Sequence, residues 1–224
     1  MPPVSEKPIV LFGLGGLTRT LAHCLTHDTQ RTVAALTVDA AYLKSDTHGG
    51  YPVVAFEELT DRFPPETHEI LLPIGYSRMN GFRQECFERA RNMGYSPTNY
   101  VSSSASVWPD QLIGENVIIS EQVIVQSYVS LGRNVMIRSG CNIGHDSVVG
   151  DHTVIASGVV TGGEVNIGER CWIGLGAVLR NNVKIADRCF IGAGAVVTAD
   201  TEPDGVYVGV PARRVPNKTS LDVT

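Results

Sequence analysis

From Val107 to Val197 every sixth residue is Val, Ile or Leu, and only Thr161 breaks the series. A helix repeats its face about every 3.6 residues and a strand every 2, so neither keeps phase over such a length. A strict period of six describes short strands joined by tight corners. The residue after each aliphatic position is usually glycine or another small residue, as at Gly114, Gly132, Gly144, Gly150 and Gly168, and the fourth after it is small again. Three hexads would close one triangular coil of about 18 residues, with strands stacked about 4.8 Å apart in a parallel β-helix around a column of Ile, Val and Leu. Three of the five cysteines, Cys141, Cys171 and Cys189, fall in the small-residue column. Free cysteine behaves there as a compact core hydrophobe.

The first hundred residues follow a different rule. The run 8-PIVLFGLG-15 reads as a buried strand ending in glycines, and 17-LTRTLAHCL-25 as a helix with Leu17, Leu21 and Leu25 on one face. RTVAALTVD (31–39) and EILLPIG (69–75) read as further strands, YPVVAFEEL (51–59) as a short extended piece running into a turn. MNGFRQECFERARNMG (79–94) reads as a helix with Phe82, Cys86, Phe87 and Ala90 inward and Gly94 just past its end. Strands alternating with helices predict a small parallel Rossmann-like sheet. The expected organisation is therefore an α/β domain over 1–100, an all-β parallel helix over 101–215 and a tail over 216–224.

Inside the repeat, 141-CNIGHDSVVG-150 carries an ionisable pair, His145 and Asp146, where the equivalents of His145 one coil before and after are Ser127 and Gly163. An imidazole at the surface of such a prism is suited to general-base work near neutral pH. An adjacent carboxylate would orient it and stabilise its protonated state, as the third member of a triad does. Neighbouring side chains on a regular strand point to opposite faces, so this pairing requires a bend between them. No thiol outside the core column and no GxSxG stretch offers a covalent nucleophile.

The hexapeptide pattern over 107–197, preceded by a glycine-rich αβ half, resembles the left-handed parallel β-helix acyltransferases, and within them the NeuD/PglD-type sugar acetyltransferases. The left hand comes from the resemblance alone, since right-handed crossovers are the strong default. The resemblance implies direct transfer of acetyl from acetyl-CoA to the amino group of a nucleotide-linked amino sugar, a 4-amino-4,6-dideoxyhexose destined for a surface glycan, by a homotrimer. It implies catalytic roles for His145 and Asp146, and an oxyanion-stabilising amide at the Gly162–Gly163 step. It also implies contacts to the coenzyme from Gly162, Gly163, Ile173, Gly174 and Gly192, and from Pro211, Ala212 and Arg213 in 205-GVYVGVPARRV-215. Arg213 and Arg214 suit phosphates by charge.

In such proteins the loop matching Gly13, Leu14, Gly15 and Gly16 contacts the nucleotide-linked sugar, and an acid after the second strand, here Asp39, contacts base or ribose. Asp39 is followed by Ala40 where relatives often carry a second acid. Thr18 stands where a dinucleotide fingerprint has its third glycine, so the loop is read as a general anion site at a helix N-terminus. A second loop, Gly75, Tyr76 and Arg78, leaves the carboxyl end of a strand, where open α/β sheets bind ligands. Tyr76 is suited to stacking on a base and Arg78 to holding a phosphate.

Rival readings keep the architecture and change the chemistry. A sugar O-acetyltransferase would use the same residues on a hydroxyl, and a non-catalytic scaffold would keep only the prism. A zinc site of the γ-carbonic-anhydrase kind needs three nitrogens, and the repeat offers only His145 and His152; His152, seven residues on, is expected on another edge as a surface residue. A formal net charge of −5 with mixed signs gives no basic stripe for nucleic acid. The start MPPVSEKPIVLFG has no secretory pattern and no run approaches a membrane span. The odd, scattered cysteines suit a reducing compartment, and the expected location is cytoplasmic.

Overall fold

The computed structural model describes residues 7–109 and 111–224; the first six residues of the expected α/β domain lie outside the described residues. The chain packs as two units. One comprises the residues up to Gly75 with Glu85–Asn99, the other Tyr76–Gln84 with Tyr100–Thr224.

In the first unit, β1 (Ile9–Phe12), β2 (Val33–Val38), β4 (Tyr51–Ala55) and β5 (Glu69–Leu71) are parallel, and the short β3 (Thr47–His48) runs antiparallel to β4, in the order β3-β4-β2-β1-β5. Ile9, Val10 and Leu11 are wholly buried, as an uninterrupted apolar run in a parallel sheet requires. Helix α1 (Gly16–His27) follows β1, and α2 (Leu59–Arg62) follows β4. α1 turns Leu21, Ala22 and Leu25 inward, but Thr18 rather than Leu17 completes the buried face. The reason is local: Thr18 Oγ1 donates to the Phe12 carbonyl at 3.3 Å, back across the glycine turn. Helix α3 (Gly81–Asn92) buries Cys86, Phe87 and Ala90, as its spacing predicts, but Phe82 is only half-buried and Arg83 is the buried neighbour; Gly94 beyond the helix has φ +89°.

The second unit is a three-sided parallel β-helix. Every strand of the repeat is two residues long, and up to the last coil each pairs in parallel with the strand eighteen residues on, for example Ile124 with Asn142 and Met136 with Val154. The strands stack in three sheets of six, five and eight members, the last closed by the hairpin Gly205–Val208 and Arg213–Thr219. The second residue of each strand points inward, and Ile119, Ile137, Ile155, Ile173 and Ile191 are at 0% exposure. Each such burial contributes roughly 1.5–3 kcal/mol. One residue per hexad holds a left-handed backbone to turn the corner, among them Asn134 (φ +57°), Gly140 (φ +73°) and Asp146 (φ +57°). This conformation costs least for glycine and is eased for Asn and Asp. Residues 216–224 do not trail: after Thr219 a turn at Ser220–Val223 is closed by a Thr219–Asp222 capping box, and Thr224 Oγ1 accepts the Met79 N–H at 3.0 Å.

Two buried features of this unit were not foreseen. His152 is 4% exposed rather than a surface residue, its Nδ1 sits 2.9 Å from Asn134 Nδ2, and Asn116 Nδ2 donates to Asn134 Oδ1 at 2.7 Å. Fully buried Arg83 donates to the Asn134 carbonyl from Nε (3.0 Å) and Nη2 (2.8 Å), and burial pulls its guanidinium down to about 9. The corner that sequence spacing placed in solvent is covered, because residues 76–84 lie against it: Asn80 Nδ2 also donates to the Cys171 carbonyl at 2.8 Å.

Candidate active site

His145 is the third residue of its hexad, immediately before the left-handed corner at Asp146. The two residues form the turn between strands, Asp146 with left-handed backbone, and Nδ1 of His145 lies 2.8 Å from Asp146 Oδ2. That is the bend the pairing needs. The side chains are about half exposed, 55% and 52%, so the pair itself contributes little to stability. With Nδ1 donating to the carboxylate, Nε2 is left as the basic nitrogen.

The ring is seated by backbone. A Cβ at Gly163, one coil on, would collide with Nε2, Cε1 and Cδ2 of His145, so only glycine admits the imidazole there. Gly162 is required for another reason: a Cβ there would come within 2.6 Å of the Asn181 amide nitrogen. Behind the histidine, the His145 N–H donates to Gln126 Oε1 at 3.2 Å, and Gln126 Nε2 donates to Asn142 Oδ1 at 3.1 Å. Sequence spacing did not single out Gln126 or Asn142. Their signal, two amides stacked on the outward face below a histidine, is visible only once the eighteen-residue register is known.

The expected coenzyme residues divide. The Ile173 side chain is wholly buried inside the prism, as the six-residue rhythm requires, so any contact it makes to a coenzyme is through its backbone. Gly174 and Gly192 have packing reasons to be glycine, since a Cβ would meet the Ile191 carbonyl at 2.6 Å or Val208 Cγ1 at 2.8 Å. Pro211 is exposed and Ala212 nearly buried, its N–H donating to the Val196 carbonyl at 2.8 Å. Arg213 is exposed, while Arg214 forms an ion pair with Glu202 at 2.7 Å. Burial raises the Cys141, Cys171 and Cys189 thiols above the usual range. They stay protonated and are unsuited to nucleophilic attack. No group of three or more His, Cys, Asp or Glu among the described residues is placed to hold a metal ion.

In the first unit Gly13 has φ +107°, and a Cβ there would meet Thr18 Oγ1 at 2.8 Å. Gly15 caps α1 without any side-chain hydrogen bond, and both Gly15 and Gly16 face open space. The loop thus presents bare helix N-terminal amides, which favour anions. A cavity of about 200 Å³ opens beside it, lined by Leu14, Arg19, His23, His48 and Tyr51 among others. Asp39 Oδ1 lies 2.8 Å from Arg89 Nη1. Beside it, Glu57 Oε2 accepts the Ala40 N–H at 2.9 Å. Gly75 ends the first stretch of this unit. In the second unit, the Tyr76 ring lies against Trp172, centroids 4.1 Å apart, so one of its faces is already engaged. Arg78 begins three successive left-handed residues, Arg78, Met79 and Asn80, and its guanidinium lies 5.9 Å from the Phe82 ring centre.

The fold and the site define a left-handed hexapeptide-repeat β-helix protein. The family model for the bacterial transferase hexapeptide (six repeats) matches residues 128–163 and 164–199. The chain resembles the NeuD/PglD-type sugar acetyltransferases. It is similar over 95% of its length, and 99% of the other chain, to a perosamine N-acetyltransferase from Caulobacter crescentus solved with CoA and GDP-perosamine, at 27% identity and a TM-score of 0.86. The acetyltransferase domain of PglB from Neisseria gonorrhoeae FA1090 shares the fold at 23% identity and a TM-score of 0.83, over 93% of this chain and 100% of that one. WeeI from Acinetobacter baumannii AYE does so at 22% identity and a TM-score of 0.83, over 93% and 99%. No curated protein matches the sequence.

Proposed function

We propose that this chain transfers acetyl from acetyl-CoA to the amino group of a nucleotide-linked amino sugar, with His145 as general base. The observation that carries the reading is the His145–Asp146 pair at 2.8 Å, with the imidazole laid over Gly163, in a chain 27% identical to an N-acetyltransferase that holds CoA and GDP-perosamine. The free amine attacks the thioester carbonyl carbon. As the C–N bond forms, Nε2 of His145 takes the proton the nitrogen sheds; as the C–S bond breaks, the departing thiolate receives it. Asp146 holds the ring and stabilises the imidazolium.

The sugar is a 4-amino-4,6-dideoxyhexose, its nucleotide read by Gly13–Gly16 and Asp39. The acting species is a homotrimer with the coenzyme in a groove between neighbouring copies. Apolar residues pointing outward on the sheet that carries Asn142 support this: Ile124, Val160 and Val178 are each at least 40% exposed. No helix among the described residues is long and apolar enough to cross a membrane, and a cytoplasmic setting, where acetyl-CoA and nucleotide sugars meet, fits that.

The test is thiol release from acetyl-CoA against a panel of UDP-, dTDP- and GDP-linked amino sugars. His145→Asn should keep acetyl-CoA binding and lose about 10²–10⁴ in turnover. Unchanged turnover removes the histidine from the mechanism, and no release with any acceptor removes the enzymatic reading.

A further inference from the structure

Thr161 interrupts the aliphatic column one coil after the hexad of His145, and the backbone ladder changes at the same point. At neighbouring rungs the N–H that follows a column residue donates to the carbonyl of the column residue one coil on. Arg138 N–H donates to the Ile155 carbonyl at 2.9 Å, Gly150 to Ile167 at 2.8 Å and Gly162 to Leu179 at 2.8 Å. The Gly144 N–H instead donates to the side chain of Thr161, Oγ1 at 2.8 Å, in a buried position. Strand pairing here stops at Asn142 with Val160, whereas the flanking coils pair both residues of each strand. The donor remains satisfied, as a buried amide must be, but it no longer clamps the Thr161 carbonyl.

The displaced backbone leads straight into the catalytic glycines. The Gly162 carbonyl packs against the face of Gly144 so closely that a Cβ on Gly144 would collide with it. At three hexads the amide in the third place is taken by a side chain: Arg133 N–H donates to Asp151 Oδ1 at 2.8 Å, Glu169 N–H to Asp187 Oδ1 at 3.0 Å, and His145 N–H to Gln126. No acceptor among the described residues takes the Gly163 N–H, which lies beside the imidazole.

We propose that Thr161 is a positioning residue: its hydroxyl draws off the ladder donor of Gly144 and so sets the 161–163 backbone in the placement that aims the Gly163 amide at the thioester oxygen. The inference rests on the acetyl-transfer reading. As the amine attacks, negative charge develops on that oxygen, and a preorganised amide stabilises it without reorganising. Valine has the same shape without the oxygen. In its place the Gly144 N–H must return to the residue-161 carbonyl, and the rung must close as its neighbours do.

The experiment compares the full chain with Thr161→Val and Thr161→Ser. Thr161→Val should lose about 10²-fold in kcat, with KM for acetyl-CoA and the melting temperature little changed. Its crystal structure should show Gly144 N–H bonded to the residue-161 carbonyl. Thr161→Ser, which keeps the oxygen, should retain most of the turnover. Wild-type turnover in Thr161→Val overturns the proposal, as does an equal loss in Thr161→Ser, or a valine variant whose rung stays open. A wild-type chain that transfers no acetyl group overturns the enzymatic reading instead, and the valine crystal structure still decides whether the hydroxyl holds the rung.

Discussion

Replacing the two adjacent glycines one at a time separates catalysis from packing within a single dipeptide. Neither has the left-handed φ that would strain an alanine, so only space decides. At Gly163 an added methyl strikes three atoms of the His145 ring and no backbone atom among its nearest contacts. That ring is half exposed and, among the described residues, its nitrogens are tied only to Asp146, so it swings into solvent. The cost in stability is a lost exposed ion pair of about 0.2–1 kcal/mol, no more than about 4 °C in melting temperature for a chain of this size. The cost in turnover is the whole contribution of the base, about 10²–10⁴, or about 2.7–5.4 kcal/mol in the barrier. The Gly163 amide survives the change, so the loss reports on the imidazole.

At Gly162 the methyl strikes the Asn181 backbone, with N at 2.6 Å and Cα at 2.8 Å. Backbone in a stacked coil cannot rotate aside, and overpacking of this kind costs about 1–3 kcal/mol, which is about 2–12 °C. Thermal melts read one effect, and thiol release at saturating acetyl-CoA reads the other. If Gly163→Ala turns over like the parent, or unfolds as readily as Gly162→Ala, the seating of the imidazole on that glycine is wrong.

Arg188 holds the Asp204 carboxyl below its usual range, chiefly through their hydrogen bond. A depressed carboxylate stabilises the fold above the unfolded pKa, and that stabilisation is lost as pH falls through the folded value. Asp204→Asn should therefore lower the melting temperature at pH 7, the loss of stability staying within about 1 kcal/mol because the two side chains are 34% and 43% exposed, and change it less at pH 3. An equal shift at both pH values would show the charge to be irrelevant. Four of the five cysteines are buried and only Cys24 is partly accessible. A thiol reagent should consequently titrate no more than one group in the native chain and five after denaturation. Rapid labelling of Cys171 in the folded protein would contradict its burial.

The coil architecture was legible because a period of six has few physical solutions. The inward column, the small-residue column holding Cys141, Cys171 and Cys189, and the need for a bend at His145–Asp146 all follow from it. The short apolar runs of the first unit were equally plain, as continuous burial in a parallel sheet demands. Residues whose surroundings come from distant chain were misjudged. His152 reads as a surface corner until residues 76–84 cover it, and Glu57 supplies a carboxylate at Ala40 that no local pattern announces.

What the sequence determined by itself is periodicity: which side chains face inward, where corners must fall, and which ionisable pair stands outside the pattern. What the tertiary structure decided is which groups meet across the stacked coils: the imidazole on Gly163, the hydroxyl of Thr161 on Gly144, and the amides of Gln126 and Asn142 behind the histidine. A repeat constrains each residue through its own hexad, but hydrogen bonds in a β-helix run between residues about eighteen apart. Partnership across that gap depends on register and on small displacements of backbone, and these exist only once the coils are stacked.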